Sequence, residues 1–225
     1  MPGALPYKQE QLVMMLQSFS GYEAVRDTAL FATGCGTGFR IAELLSLKRR
    51  DVVNQYGEIR NRITVNHTKG KKSRTVVLND FAKPFLIEWL VQQEIRGFRK
   101  SNTWLWTLST GYLMYYEAFL RSIKKTSEVC RLDGRYTTHS MRKTFAMHTY
   151  LYYHKQRISG VLVDPLLKTR EAMGHSNIEA TSRYLQFMLG NTDESTKQLY
   201  SEIDSESILK KFSSKIVRKL AKVNY

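Results

Sequence analysis

Apolar positions along this chain recur mostly at helical spacing, with one interval where they alternate. Leu12, Met15, Leu16 and Phe19 line one face of a helix over 8–19. A second helix is expected from about Tyr22 to Thr33, ending in GCGTGFR (34–40), where three glycines within five residues break a helix and let the backbone turn tightly. The helical period resumes at Arg40 as RIAELLSL, with Ile41, Leu44 and Leu45 facing inward. Residues 59–66 then alternate and 74–78 are β-branched and apolar, so HTKGKKS between them reads as a hairpin turn. A short strand near Val52–Tyr56 is the expected third member of that sheet.

Helices return over 79–96 and roughly 110–129. The first is capped by Asn79 or Asp80, starts nearer 82 if Pro84 belongs to its first turns, and buries Phe85, Leu86, Trp89 and Leu90. Trp104 and Trp106 alternate in a short strand-like stretch between the two. A DG turn precedes a helix from about Thr138, a good N-cap, and KQRISGVLVD (155–164) is expected to form a loop. Pro165 suits the first position of the next helix. A short helix over 177–187 follows, with Asn177 as its cap, Glu179 in its first turn, and Ile178, Ala180 and Leu185 as its apolar contacts. Beyond a polar linker, Ser207 to Val223 carries Leu209, Phe212, Ile216, Leu220 and Val223 on one stripe with lysines opposite, a face that needs a surface to cover it. The fold class expected is mainly α with a small antiparallel β-sheet (α+β).

Charge changes this picture most. A formal net charge of +15 over 225 residues points to a polyanionic partner, nucleic acid or an anionic membrane. No run of about 18 apolar residues offers a membrane span, and MPGALPYKQEQ has no basic segment leading into an apolar one, as a secretory signal would. Cys35 and Cys130 are too few for a zinc site or a disulfide framework, so a reducing interior, the cytoplasm, is the default location. Nucleic acid is the favoured partner. A membrane-surface protein fits the charge and leaves the polar motifs unexplained.

The candidate chemistry is spread along the chain. The glycine-rich loop at 34–38 could cradle phosphate, yet no GK[ST] follows it. Arg40 and Glu43 are three apart on one helix, where the acid can steady the guanidinium. The hairpin turn carries Lys69, Lys71 and Lys72, with Arg74 just beyond, and His67 precedes it. His139 and Arg142 share a face at the first turn of their helix, where the positive dipole end attracts anions. AMGHSNIEATSRYLQF (172–187) holds a Gly-His pair and, nine residues on, Tyr184. His148 and His154 read as packing or surface residues. Two arginines can bind the non-bridging oxygens of a phosphodiester and neutralise charge in its transition state. A tyrosine phenol can attack if cations and a histidine help remove its proton, and a lysine can protonate a departing 5′ oxygen. No carboxylate cluster is available to hold magnesium, and no cofactor is called for. These residues point to phosphoryl transfer on a nucleic-acid backbone.

Four stretches, TGFRIAELLSL (37–47), KGKKSRTVVL (69–78), HSMRKTFA (139–146) and MGHSNIEATSRY (173–184), resemble, in order, the catalytic domain of the tyrosine recombinase family, the phage-integrase and Xer-type enzymes. The resemblance implies that fold and a site-specific recombinase that cleaves and rejoins DNA through a covalent 3′-phosphotyrosine, without metal or ATP. It implies that Arg40 and Arg142 clamp the scissile phosphate, His139 assists proton transfer, His175 hydrogen-bonds the phosphate, Lys69 acts as general acid and Tyr184 as nucleophile. Lys71 and Lys72 rival Lys69, and Glu43 takes a supporting acidic position. Lys71, Lys72, Arg74, Lys143 and His67 are candidate DNA contacts. The partner implied is double-stranded DNA, bound by four protomers on two sites that pass through a Holliday junction, with a monomer as the alternative without DNA; in a prokaryote the location becomes nucleoid-associated.

Residues 1–190 are expected to form the catalytic domain, and 191–225 a linker and helix that docks on its own domain or on a neighbouring protomer. The family's separate N-terminal DNA-gripping domain is expected to be absent, either because this is a fragment or because the recombinase is minimal. The Arg142-to-His175 interval is longer than usual in the family, with the extra residues expected in KQRISGVLVD. A type IB topoisomerase-like activity and a catalytically silent DNA-binding module are the alternatives. Synapsis of two sites separates the first from a recombinase.

Overall fold

A computed structural model describes residues 3–66 and 73–189. The elements, in order, are α1 (Gln9–Ser18), α2 (Ala24–Thr37), α3 (Ile41–Leu45), α4 (Arg49–Val52), β1 (Arg62–Asn66), β2 (Ser73–Val77), α5 (Lys83–Ile95), α6 (Tyr116–Val129), α7 (Thr138–Ile158), α8 (Pro165–Met173) and α9 (Ile178–Leu189). This is a mainly α protein with a two-stranded antiparallel sheet. The basic turn with His67, Lys69, Lys71 and Lys72, the linker and the 207–223 helix lie outside the described residues.

α2 is the central helix. Every residue from Arg26 to Thr37 is buried: Arg26 and Asp27 pair with each other at 2.7 Å, the rest are small or apolar, and the helix packs against α5 and α7. The expected break at Gly34 does not occur, for a steric reason. A Cβ on Gly34 would lie 2.6 Å from Met141 Sδ of α7, and one on Gly36 would lie 2.8 Å from Asn79 Oδ1. These two glycines are helical and permit close packing. Gly38 alone makes the turn, as a left-handed cap (φ 61°) whose N–H donates to Gly34 O at 3.0 Å.

The hairpin pairs Arg62 with Val77 through to Asn66 with Ser73. Alternation turns Ile63 and Val65 of β1 into the core. The same parity turns Arg74 of β2 inward beside them, because it pairs with Val65. No third strand joins them among the described residues; Val53 makes a single bridge to Ile59 after α4 ends. Lys48–Trp104 and Thr107–Leu113 are likewise single bridges, and Trp106 is fully buried.

α5 starts at Lys83 with Pro84 in its first turn and buries Phe85, Leu86, Trp89 and Leu90. α6 begins at Tyr116, later than its apolar pattern suggests, because residues 107–114 are held in turns by Leu108 and Met114 N–H donating to Tyr112 and Trp106 carbonyls. α7 is capped by Thr137, one residue before the expected Thr138, and runs on through 155–158, so the loop is confined to 159–164. Asp164 Oδ1 accepts from Leu167 N at 3.0 Å to cap α8 behind Pro165. Asn177 Oδ1 accepts from Glu179 N at 2.7 Å at the start of α9. On α9 Leu185 is buried, but Ile178 and Ala180 face outward, and Thr181 takes the inner position.

The core has two parts. The larger gathers α1, α2, α5, α6 and the sheet around Leu12, Phe31, Phe39, Trp89 and Trp106. The smaller joins α7, α8 and α9 through Ala146, Met147, Met173 and Leu185. The site forms where the two meet.

Candidate active site

Two helix C-termini organise the site. α2 ends at Thr37 and Gly38, and α8 ends at Met173 and Gly174. The last carbonyls of a helix have no partner within it and carry its negative dipole end. Here two arginines from other elements satisfy them. Arg74 Nη2 donates to Thr37 O at 2.9 Å, its Nη1 to Gly38 O at 3.3 Å, and its Nε to Ala172 O at 3.1 Å. Arg142 Nη1 donates to Gly38 O, and its Nη2 donates to Met173 O at 2.7 Å. Both side chains are buried. Gly174, left-handed at φ 63°, leaves room for Arg74: a Cβ there would lie 2.8 Å from Arg74 Cδ.

The turn at Gly38 sends Phe39 into the core and leaves Arg40 at the head of α3. Glu43 holds Arg40 twice, accepting from its backbone N–H at 2.7 Å and from Nη1 at 3.1 Å. Glu43 is only 9% exposed, and the Oε2 that accepts from the Arg40 N–H also lies 3.9 Å from Arg74 Nη1, so this is more than a surface pair. Arg40 itself remains 46% exposed at its side chain.

His175 follows Gly174. Its Nε2 lies 3.1 Å from Arg142 Nη2 and its Nδ1 lies 2.9 Å from Thr181 Oγ1. Burial, then the charges of Arg142, Arg40 and Arg74, push its pKa down to about 4. His139 is exposed on the first turn of α7, where its N–H donates to Thr137 Oγ1 at 3.2 Å. Loss of water contact, then Arg142, Lys143 and Arg40, lower its pKa as well. Burial, then Arg142 with Arg40 against the pull of Glu43, brings Arg74 down to about 9. The backbone of α9 carries Tyr184 one turn beyond Thr181.

Arg40, His139, Arg142 and His175 are therefore brought to one place by α3, α7 and the α8–α9 turn. Lys143 is half-buried beside them with its pKa lowered by burial. Arg74 corrects the expectation of a DNA contact, since its guanidinium is turned inward onto backbone carbonyls. His148 is a packing residue, buried and pushed down to about 3 by burial alone. His154 is exposed and stacks on Tyr150 at 5.8 Å. Thr181 was not singled out by sequence reasoning; its signal is a hydroxyl six residues after His175, where a helix turns back toward the ring. Cations and neutral histidines around one carboxylate make a site suited to binding an anion through convergent donors.

The family model of the phage integrase family matches residues 7–188. This chain belongs to the phage integrase family. Its tyrosine recombinase relatives include XerC of Vibrio atlanticus, 26% identical over 163 residues that cover 72% of this chain and 47% of that protein. XerC of Chlamydia caviae is 26% identical over 185 residues, 82% of this chain and 54% of the relative. The chain thus spans about half the length of these curated relatives. A crystal structure of the XerH site-specific recombinase bound to palindromic difH substrate, in a post-cleavage complex, superposes with a TM-score of 0.63 at 24% identity, over 81% of this chain and 50% of that one. The fold of this family member is therefore that of tyrosine recombinase catalytic domains. No helix among its described residues is long and apolar enough to cross a membrane.

Proposed function

We propose that this chain is the catalytic part of a site-specific DNA recombinase, with residues up to about 190 forming its catalytic domain. The observation that carries the reading is the convergence of Arg40, His139, Arg142 and His175 on the turn that leads into the Tyr184 helix. Arg40 and Arg142 bind the non-bridging oxygens of the scissile phosphate, and Tyr184 Oη attacks phosphorus. A bond forms from the phenol oxygen to phosphorus, the bond to the 5′ oxygen breaks, and that oxygen leaves with a proton from Lys69. His139, neutral at neutral pH, assists removal of the phenol proton. The 3′-phosphotyrosine keeps one phosphodiester-type bond, so a new 5′-hydroxyl restores the DNA by the reverse steps without ATP. Glu43 steadies Arg40; Lys71, Lys72, Lys143 and His67 contact the DNA backbone generically. The net charge of +15 supports double-stranded DNA as partner, and exchange between two sites calls for four protomers.

The test incubates the chain with nicked suicide duplexes drawn from the DNA flanking its own gene, beside a Tyr184→Phe variant. A protease-sensitive, slower-migrating band on a denaturing gel, present only with the native chain, is the expected result. A band that persists in the variant assigns another nucleophile. DNA binding without any band by either protein sinks the recombinase reading and favours a silent DNA-binding module.

A further inference from the structure

The two ring nitrogens of His175 face different partners, and the chemistry of those partners places its proton. Arg142 Nη2 lies 3.1 Å from Nε2. A guanidinium offers donors only, so Nε2 accepts in that contact. The ring proton is then on Nδ1, 2.9 Å from Thr181 Oγ1, and is donated to the hydroxyl. The depressed pKa of His175, about 4, keeps the ring neutral at neutral pH, where one tautomer holds both bonds. Thr181 is 1% exposed and sits one turn ahead of Tyr184 on α9.

We propose that Thr181 is a positioning residue for strand cleavage: its hydroxyl accepts from His175 Nδ1, fixes the Nδ1–H form, and turns Nε2 toward Arg142 and the phosphate site. The catalytic consequence rests on the recombinase reading; the tautomer does not. The same contact ties the helix that carries Tyr184 to the end of α8, where Arg142 is anchored on Met173 O. In the resting site His175 occupies one N–H of Arg142. For His175 to donate to a phosphate oxygen, the ring takes one proton from solvent at Nε2 and becomes an imidazolium, while Nδ1–H stays on Thr181. Serine preserves this acceptor. Valine keeps the branched shape and removes it.

The test is long-range proton–nitrogen NMR on the full chain labelled with ¹⁵N-histidine, with His175 assigned by its loss in His175→Gln. The native chain and Thr181→Ser should show a protonated Nδ1 and an unprotonated Nε2. Thr181→Val should show the proton on Nε2 or averaged over both nitrogens. On nicked duplexes, Thr181→Val should form the covalent complex about tenfold or more slowly at unchanged DNA affinity, with Thr181→Ser close to native. A native ring protonated on Nε2 overturns the proposal, as does a Thr181→Val ring that keeps the native tautomer. Slower cleavage by Thr181→Val with an unchanged tautomer and a lowered melting temperature assigns it a structural role only, and the proposal fails. Should the native chain form no covalent complex, the recombinase reading fails, and the NMR result alone decides the role of Thr181.

Discussion

Arg74 reaches from β2 to the end of α8, where its Nε donates to the carbonyl of Ala172 at 3.1 Å. The same guanidinium closes on Thr37 and Gly38 at the end of α2. One buried side chain therefore spans the seam between the two halves of the core. Arg74→Met leaves those carbonyls and Glu43 without this cation, and is expected to cost about 3 kcal/mol of stability. Arg74→Lys recovers only part, because a single ammonium cannot reach both helix ends in the same plane. Denaturant midpoints decide this, and a midpoint for Arg74→Met equal to the native one would show that the bridge contributes nothing.

Arg40 and Arg142 should separate in a different way. Arg40 is substantially exposed and Arg142 is 3% exposed. Arg40→Gln is expected to abolish covalent-complex formation while changing stability by less than about 1 kcal/mol. Arg142→Gln should abolish it and also lower stability by about 2–3 kcal/mol, because the Gly38 and Met173 carbonyls lose a charged donor. Parallel melts and nicked-duplex assays measure both; equal stability losses would contradict the assignment of Arg142 as a structural anchor.

Gly38 combines a left-handed φ of 61° with the ring of Phe145 packed where a Cβ would stand. Gly38→Ala is expected to destabilise by roughly 2 kcal/mol or more, part from the backbone and part from the collision. Phe145→Ala removes the collision together with the ring's own packing against the smaller core. The double variant is then more stable than the sum of the single losses predicts, and a double-mutant cycle with no coupling refutes the steric half of this account.

His148 sets an acid limit on the fold. Its folded pKa is about 3, against an ordinary value of 6.5, because burial opposes the charged form. Between those values the unfolded chain binds the extra proton, so stability is highest above the ordinary pKa and falls as pH drops. The slope is about 1.4 kcal/mol per pH unit from this residue alone. His148→Gln should flatten that limb of the stability curve between pH 6 and pH 4 by about that slope. An unchanged slope would mean that the ring titrates normally in the folded chain.

Local chemistry along the chain was enough to specify much of this protein. The apolar face of α1, the Pro165 start of α8 and the Asn177 cap of α9 each depend on contacts within a few residues, so spacing and capping reveal them. The spaced arginines, histidines and Tyr184 are residue types suited to the chemistry proposed above. Contacts between distant segments decided the rest. α2 runs on through Gly34 because Met141 of α7 fills the space a side chain would need, and a glycine run by itself cannot distinguish a break from a close approach. Arg74 faces inward because pairing with Val65 sets its parity, and register is a property of two strands. Arg142, 33 residues earlier in the chain, lies 3.1 Å from the His175 ring only once α7 and α8 have packed.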